Sequence, residues 1–227
     1  MAYGPWPMLT ITVITIFPEF FVEPLSLSIP GRAAAAGAVS YHVVDLRNFT
    51  HDRHRTVDDY PYGGGAGMVM KPGPFFEAID ALRPEGPVVL LSARGEPFTQ
   101  ADARRYAEGP GLTLLCGHYK DVDQRVADHL ATEERSLGAF VLSGGEPAAL
   151  VVIDATVRLL PGAMTDPESA RSDSFFDRGL SAPSYTRPPV FRGHTVPEVL
   201  LSGDHRRIEE WRRAEGERLT AKRRDPK

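Results

Sequence analysis

Residues 112–147 read LTLLCGHYKDVDQRVADHLATEERSLGAFVLSGGEP, and within them two apolar runs, 112–116 and 140–142, each stop at glycine. A strand that ends in glycine can turn sharply and leave its amides open to a ligand, because no side chain stands in the way. Two such ends brought together would form a ligand slot. The second leads into Glu146-Pro147, an acid in the opening turn and a proline at a first helical position, which predicts a helix from Glu146. Taken alone, the block is equally compatible with two ordinary strand-to-turn junctions.

Working outward, 9–16 (LTITVITI) is β-branched and nearly continuous, as for a strand covered on both faces. Helical segments are expected at 19–27 and 31–38, and a second strand at 39–45. Strand, helix and strand in some forty residues make a crossover unit, which points to an α/β protein with a parallel sheet. Further along, helices are expected at 72–83, at 99–108 with Thr99 as cap, at 122–130 and at 146–160. Strands are expected at 87–92, 112–116 and 140–142. Pro161-Gly162 closes the long apolar helix and a small, polar stretch follows, the clearest linker in the chain. The last helix begins near Ser202, with Ile208, Trp211 and Leu219 as anchors.

Composition sets bounds. With 42% hydrophobic and 25% charged residues, the 227-residue chain is a folded protein with ample core. No apolar run approaches the ~20 residues that span a bilayer, and the N-terminal MAYGPWP lacks a secretory pattern, so a cytoplasmic protein is expected, with no membrane partner. The single cysteine, Cys116, excludes an internal disulfide and a multi-cysteine zinc cluster; in its apolar run it reads as a small buried residue. Net charge is −4, yet 203–227 holds nine Lys/Arg against six Asp/Glu. That tail is either a phosphate-binding surface or a solvated helix.

Between Asn48 and Lys71 periodicity disappears for over twenty residues, which in a compact domain marks a functional loop. His51 and His54 beside Asp58 and Asp59 do not have zinc-ligand spacing, so no metal site is assigned. The glycines at 63–67 do not follow a strand or open a helix as a dinucleotide fingerprint would, and there is no GK[ST].

Four strings together carry a family resemblance: TVDDYPYGGGAGMVMKP at 56–72, LSGGEPAAL at 142–150, SDSF at 172–175, and SYTRPP at 184–189 followed by VPEVLLSGDH. From about Leu9 to the C-terminus the chain resembles the bacterial tRNA (guanine-N1)-methyltransferases of the SPOUT class. The resemblance implies a parallel-sheet domain with a deep trefoil knot over 1–160 (1–7 a probable extension), a flexible linker at 161–174, and a small, mainly helical tRNA-binding domain at 175–227. It implies a homodimer that transfers the methyl group of S-adenosylmethionine to N1 of the guanosine 3′ of the anticodon, position 37. Asp173 would be the general base, and Arg158 would face the charge developing on the guanine oxygen. Ser92, Gly117, Tyr119, Leu137, Gly138, Leu142, Gly144 and Gly145 would line the donor site, and Asp59, Tyr62, Gly63 and Gly64 would hold the guanine. The nucleic-acid partner would be the tRNA anticodon stem-loop and not DNA, with Mg2+ admitted as an accessory ion.

The chain departs from the family pattern at several positions, and they cluster. Where the family has GRYEGID, residues 117–123 read GHYKDVD, so His118 replaces arginine, Lys120 glutamate and Asp121 glycine; where it has GDYVL, Ala139 and Phe140 replace an acid and a tyrosine. Asp121 is a candidate to supply the missing carboxylate. A SPOUT-fold tRNA binder with weakened or lost donor use is the alternative these changes raise.

Overall fold

The computed structural model describes residues 8–164, 172–176 and 179–224. The 1–7 extension and 165–171 of the expected linker lie outside the described residues. The chain divides into two compact units, Met1–Thr165 and Asp166–Lys227.

Unit 1 is a three-layer α/β structure. Strands β1 (Leu9–Thr15), β2 (Val39–Asp45), β5 (Val88–Pro97), β6 (Gly111–Cys116) and β8 (Glu133–Ser136) form a parallel sheet in the order β2-β1-β6-β5-β8. Side chains alternate between faces along each strand. Ile11, Val13, Leu112 and Leu114 pack with Ala33 of α2 (Ser28–Ala35), Tyr106 of α4 (Gln100–Ala107) and Val152 of α6 (Glu146–Val157). Ile14, Leu90 and Leu115 face the other way, onto Phe75 and Ala78 of α3 (Pro72–Leu82) and Val126 of α5 (Gln124–His129). α6 contributes Ala148, Ala149, Val152, Ile153 and Val157 to the core, which is why its sequence is apolar nearly all round. Thr99 caps α4 with a reciprocal Asp102 box, as its sequence position predicts.

The loop expected over 48–71 is organised by a second, small sheet. In it β3 (Asp58–Asp59) pairs antiparallel with β4 (Val69–Met70), and β4 pairs parallel with β7 (Asp121–Val122). Val57 and Met70 are buried beneath it.

Three expected elements are corrected. The segment 19–27 is a 3-10 turn, Pro18–Phe21, followed by the short α1 (Val22–Ser26). The helix expected over 122–130 begins only at Gln124, because Asp121 and Val122 join the small sheet. The strand expected at 140–142 is not one: Phe140, Val141 and Leu142 are exposed, Val141 at 86%, and the strand lies at Glu133–Ser136.

That edge strand is polar because its partners are. Glu133 accepts from Arg105 Nη1 and Nη2 (2.7 and 2.8 Å), from Tyr106 Oη (2.9 Å) and from Arg135 Nη2 (2.9 Å). Arg135 also reaches Asp102 at 2.9 Å, closing a network along the sheet edge. Hydrogen bonds from Arg105, against opposing desolvation and aided by Arg135 and Tyr106, hold the Glu133 carboxyl down at about 2 from its usual 4.5.

Unit 2, described by itself, is built on the helix His205–Arg224 with a short helix Glu198–Leu201 before it and a two-stranded ribbon, Val190–Phe191 with His194–Thr195. Leu180 N donates to Thr220 Oγ1 at 2.8 Å, and a Cβ at Gly216 would lie 2.6 Å from the Leu180 carbonyl oxygen, so the chain at Leu180 rests directly on the helix there. Ile208, Trp211 and Leu219 are half-buried, and Tyr185 lies against Trp211.

A carboxylate whose folded pKa is depressed stabilises above its unfolded value, and that stability is lost as pH falls through the folded value. The Glu133 contribution is therefore complete above about pH 5 and lost towards pH 2, and spans about 3 kcal/mol. Thermal unfolding followed from pH 7 to pH 3 should give a smaller acid-induced drop in Tm for Glu133→Gln than for the parent chain, with the variant already less stable at pH 7. Equal drops would remove Glu133 from the acid sensitivity.

Candidate active site

The site forms where β6 and the segment after β8 meet. β6 ends at Cys116, and Tyr119, at φ +61°, turns the chain toward β7. After β8 the chain leaves the sheet edge and comes back to the middle of the sheet. Gly145 N donates to Gly117 O at 2.8 Å, and Gly144 forms a backbone bridge with His118. The approach is backbone to backbone: a Cβ at Gly145 would sit 2.7 Å from Cys116 Cα and 3.0 Å from Gly117 N. Glycine is required here for space, since its φ of −77° is open to any residue.

These glycines wall a cleft of about 240 Å³ at the C-terminal ends of the parallel strands. Its lining includes every residue expected at a donor site: Ser92 from β5, Gly117 and Tyr119 after β6, and Leu137, Gly138, Leu142, Gly144 and Gly145 after β8. Phe140 and Val141 stand at its mouth. Small ligand sites run from about 300 Å³ upward, so a nucleoside-sized ligand would fill this cleft and reach its mouth.

A second cleft of about 850 Å³ adjoins it, sharing Arg94, Asp121 and Val122. Asp59 and Tyr62 line it; Gly63 and Gly64, at φ +80° and +77°, form the open tip of the same loop. Tyr60 and Tyr62 are 81% and 101% exposed, so both rings are available for stacking. The loop is tied to the turn after β6 through Lys120 N, which donates to Met68 O, and Asp123 N, which donates to Met70 O, both at 3.0 Å. The Lys120 stem lies along Gly67, where a Cβ would be 3.1 Å from Lys120 Cβ.

Asp121 does not stand free as a replacement carboxylate. Arg94 donates to both its oxygens, at 2.8 and 3.1 Å, so the pair forms the partition between the clefts. Asp123 is likewise held by Arg125 at 2.7 Å. Among the described residues no group of three or more His, Cys, Asp or Glu side chains is placed to hold a metal, and these two carboxylates are each paired with an arginine. His51 is paired with Glu77 at 2.6 Å. Cys116 is fully buried, and burial first, then the charge of Glu146, pushes its thiol well above the usual range, which suits a packing role and not a nucleophile.

The two residues expected to do the chemistry belong to different units. Arg158 caps the C-terminal end of α6 in unit 1, with Nη2 4.0 Å from Met164 Sδ. Asp173 lies in unit 2 beside a hollow of about 1700 Å³ that is also lined by Tyr185, Arg187, Arg212 and Arg213. Sequence reasoning missed the Arg94–Asp121 partition and the burial of Glu146; the latter had a signal, an acid opening an otherwise apolar helix.

A parallel sheet with helices on both faces, and a glycine-walled cleft at the carboxyl ends of its strands, define an α/β protein whose cleft lies where such sheets usually take their ligands. The family described as tRNA (Guanine-1)-methyltransferase TrmD matches residues 9–226, and the chain belongs to that family. Among its relatives is a tRNA (guanine-N(1)-)-methyltransferase of Dehalococcoides mccartyi, 52% identical over 218 residues, covering 94% of this chain and 88% of the relative. The enzyme of that name from Rhodospirillum rubrum is 53% identical over 214 residues (93% and 89%), and that of Cereibacter sphaeroides 51% over 231 residues (99% and 92%).

Replacing Gly145 by alanine should destabilise the chain by about 1–3 kcal/mol, because the obstructing atoms are backbone and cannot swing aside. Urea unfolding measures this; a midpoint unchanged from the parent chain would show that the two segments are not packed as described.

Proposed function

We propose that the chain transfers a methyl group from S-adenosylmethionine to N1 of the guanosine at position 37, just 3′ of the anticodon of tRNA. The observation that carries this reading is the meeting of the two glycine-ended segments into one cleft that gathers the whole expected donor set and adjoins a cleft with two exposed tyrosines. Glycine walls suit a flat adenine and a methionine chain, since both can lie against backbone. A single-stranded anticodon loop offers a splayed base for Tyr60 or Tyr62 to stack on.

S-Adenosylmethionine supplies an already activated methyl group on a sulfonium, which leaves as a neutral thioether. The protein's tasks are alignment and proton removal. In this reading Asp173 accepts the N1 proton, and the Arg158 guanidinium faces the charge that this puts on the guanine carbonyl oxygen. Asp173 belongs to unit 2 and Arg158 to unit 1. The return of the chain from the sheet edge to the middle of the sheet at Gly145 supports a knotted path, although threaded chains are rare. We further assign 1–160 to the methyltransferase domain, 161–174 to a flexible linker and 175–227 to tRNA binding. The working unit is a cytoplasmic homodimer, with the exposed Phe140, Val141 and Leu142 as a surface suited to burial.

A tRNA binder without methyl transfer is the reading that the altered turn suggested. His118 directs its ring toward Glu146 and Lys120 lies along Gly67, and both residues line the cleft between the glycine walls.

Labelled methyl transfer from S-adenosylmethionine should occur to an unmodified tRNA transcript with guanosine at position 37 and not to the same transcript with adenosine there. No transfer by folded, tRNA-bound protein would favour the binder. Asp173→Ala should lower turnover by about 10²–10⁴-fold while tRNA binding stays within about threefold. Parallel loss of both would make Asp173 structural.

A further inference from the structure

Behind the donor cleft sits a carboxylate that the chemistry above does not use. Glu146, at the start of α6, is 3% exposed. Its Oε1 accepts from Thr15 Oγ1 at 2.7 Å, and the same hydroxyl accepts from Phe17 N at 2.9 Å. Its Oε2 lies 3.7 Å from His118 Nδ1, a buried nitrogen with no hydrogen-bond partner. The Phe17 ring meets the His118 ring edge-on at 5.0 Å. The end of β1, the turn after β6 and the start of α6 therefore converge on one carboxyl group.

A buried carboxylate is costly without a partner, and an unmade bond at a buried imidazole nitrogen is costly too. The N-terminus of α6 offsets part of the first cost. The rest is relieved if Nδ1 carries its proton and moves toward Oε2 by roughly 0.8 Å, into ordinary hydrogen-bond range. His118 is in the backbone bridge with Gly144, so the residue that faces Glu146 is also part of a wall of the donor cleft. Gly144 is what leaves room for it: a Cβ there would collide with both Glu146 Oε2 and His118 Nδ1.

We infer that His118 and Glu146 are a coupled positioning pair that sets the geometry of the donor cleft, His118 acting through Glu146 to hold the turn after β6 against Gly144 and Gly145. This rests on the methyl-transfer reading, since the ligand whose affinity the pair controls is the sulfonium nucleoside. Neither side chain needs to touch the reacting atoms.

The test is calorimetric titration of S-adenosylmethionine into the full-length chain, its His118→Asn, Glu146→Gln and double variants, and His118→Arg, with thermal unfolding of each. Each single substitution should weaken donor binding about tenfold, and the double should be no weaker than the worse single within about twofold, as coupled neighbours behave. His118→Arg, which keeps a donor facing Glu146, should restore affinity to within about threefold of the parent. In steady-state transfer to tRNA, the donor KM should rise by more than kcat falls. Singles that bind like the parent chain, multiplying effects in the double, or failure of arginine to restore binding would overturn the inference. If Glu146→Gln does not fold, His118→Asn against His118→Arg decides alone. Absence of donor binding by the parent chain would instead overturn the methyl-transfer reading itself.

Discussion

The site depends on one close approach, the contact of Gly145 with Cys116 and Gly117, where the amide of one segment meets the carbonyl of the other at 2.8 Å. Any side chain at Gly145 would hold the segments apart. Their contact sends the chain from the sheet edge back to its middle, starts α6 beneath the end of β6, and leaves two backbone walls facing a common space. The apolar packing of α6 against the sheet follows from that start, because Ala148, Ala149 and Val152 reach the core only if the helix begins this close to β6.

Charged groups around this frame serve three distinct purposes. At the sheet edge Asp102, Arg105, Glu133 and Arg135 satisfy one another, so an edge strand that would otherwise invite pairing carries ionic side chains instead. Between the clefts Arg94 and Asp121 form a partly exposed partition, half solvated and worth little to stability by itself. Its value is geometric, since it keeps the turn after β6 and the end of β5 at one spacing. Below the cleft the carboxylate of Glu146 is buried, and there each partner counts for more.

Much of the frame was legible in the sequence and the failures share a cause. β1, β2, β6 and the capped α4 follow from β-branched runs, alternation and the Thr99 box, all local signals. β8 was sought among apolar residues and placed at 140–142, whereas the real strand, Glu133–Ser136, draws its fit from Arg105 and Tyr106 on a different element. The exposed residues 140–142 looked like core only because hydrophobicity carries no record of which side faces a cleft. The donor set could be named through the family resemblance, and its glycines also had a physical signal. The roles proposed for Asp173 and Arg158 had none beyond the resemblance, since neither spacing nor periodicity links residues in separate units. The Glu146 pairing with Thr15 and His118 joins positions 131 and 28 residues apart and could be seen only once the chain was folded.

The charge distribution bears on how such a protein could handle an RNA while carrying a net −4. In the helix His205–Arg224, Arg206, Arg212 and Arg218 are within ion-pair distance of Glu210, Glu209 and Glu215 respectively. These pairs are exposed and individually weak, yet each places a carboxylate beside a guanidinium that would otherwise meet phosphate alone. Phosphate contacts supply affinity without sequence information, and every one adds to non-specific binding. A tail whose basic excess is small limits that background. Discrimination then falls to shaped sites such as the two adjoining clefts of unit 1. Weak general attraction and a demanding site are complementary properties of an enzyme that must select one nucleotide among the many that a tRNA exposes.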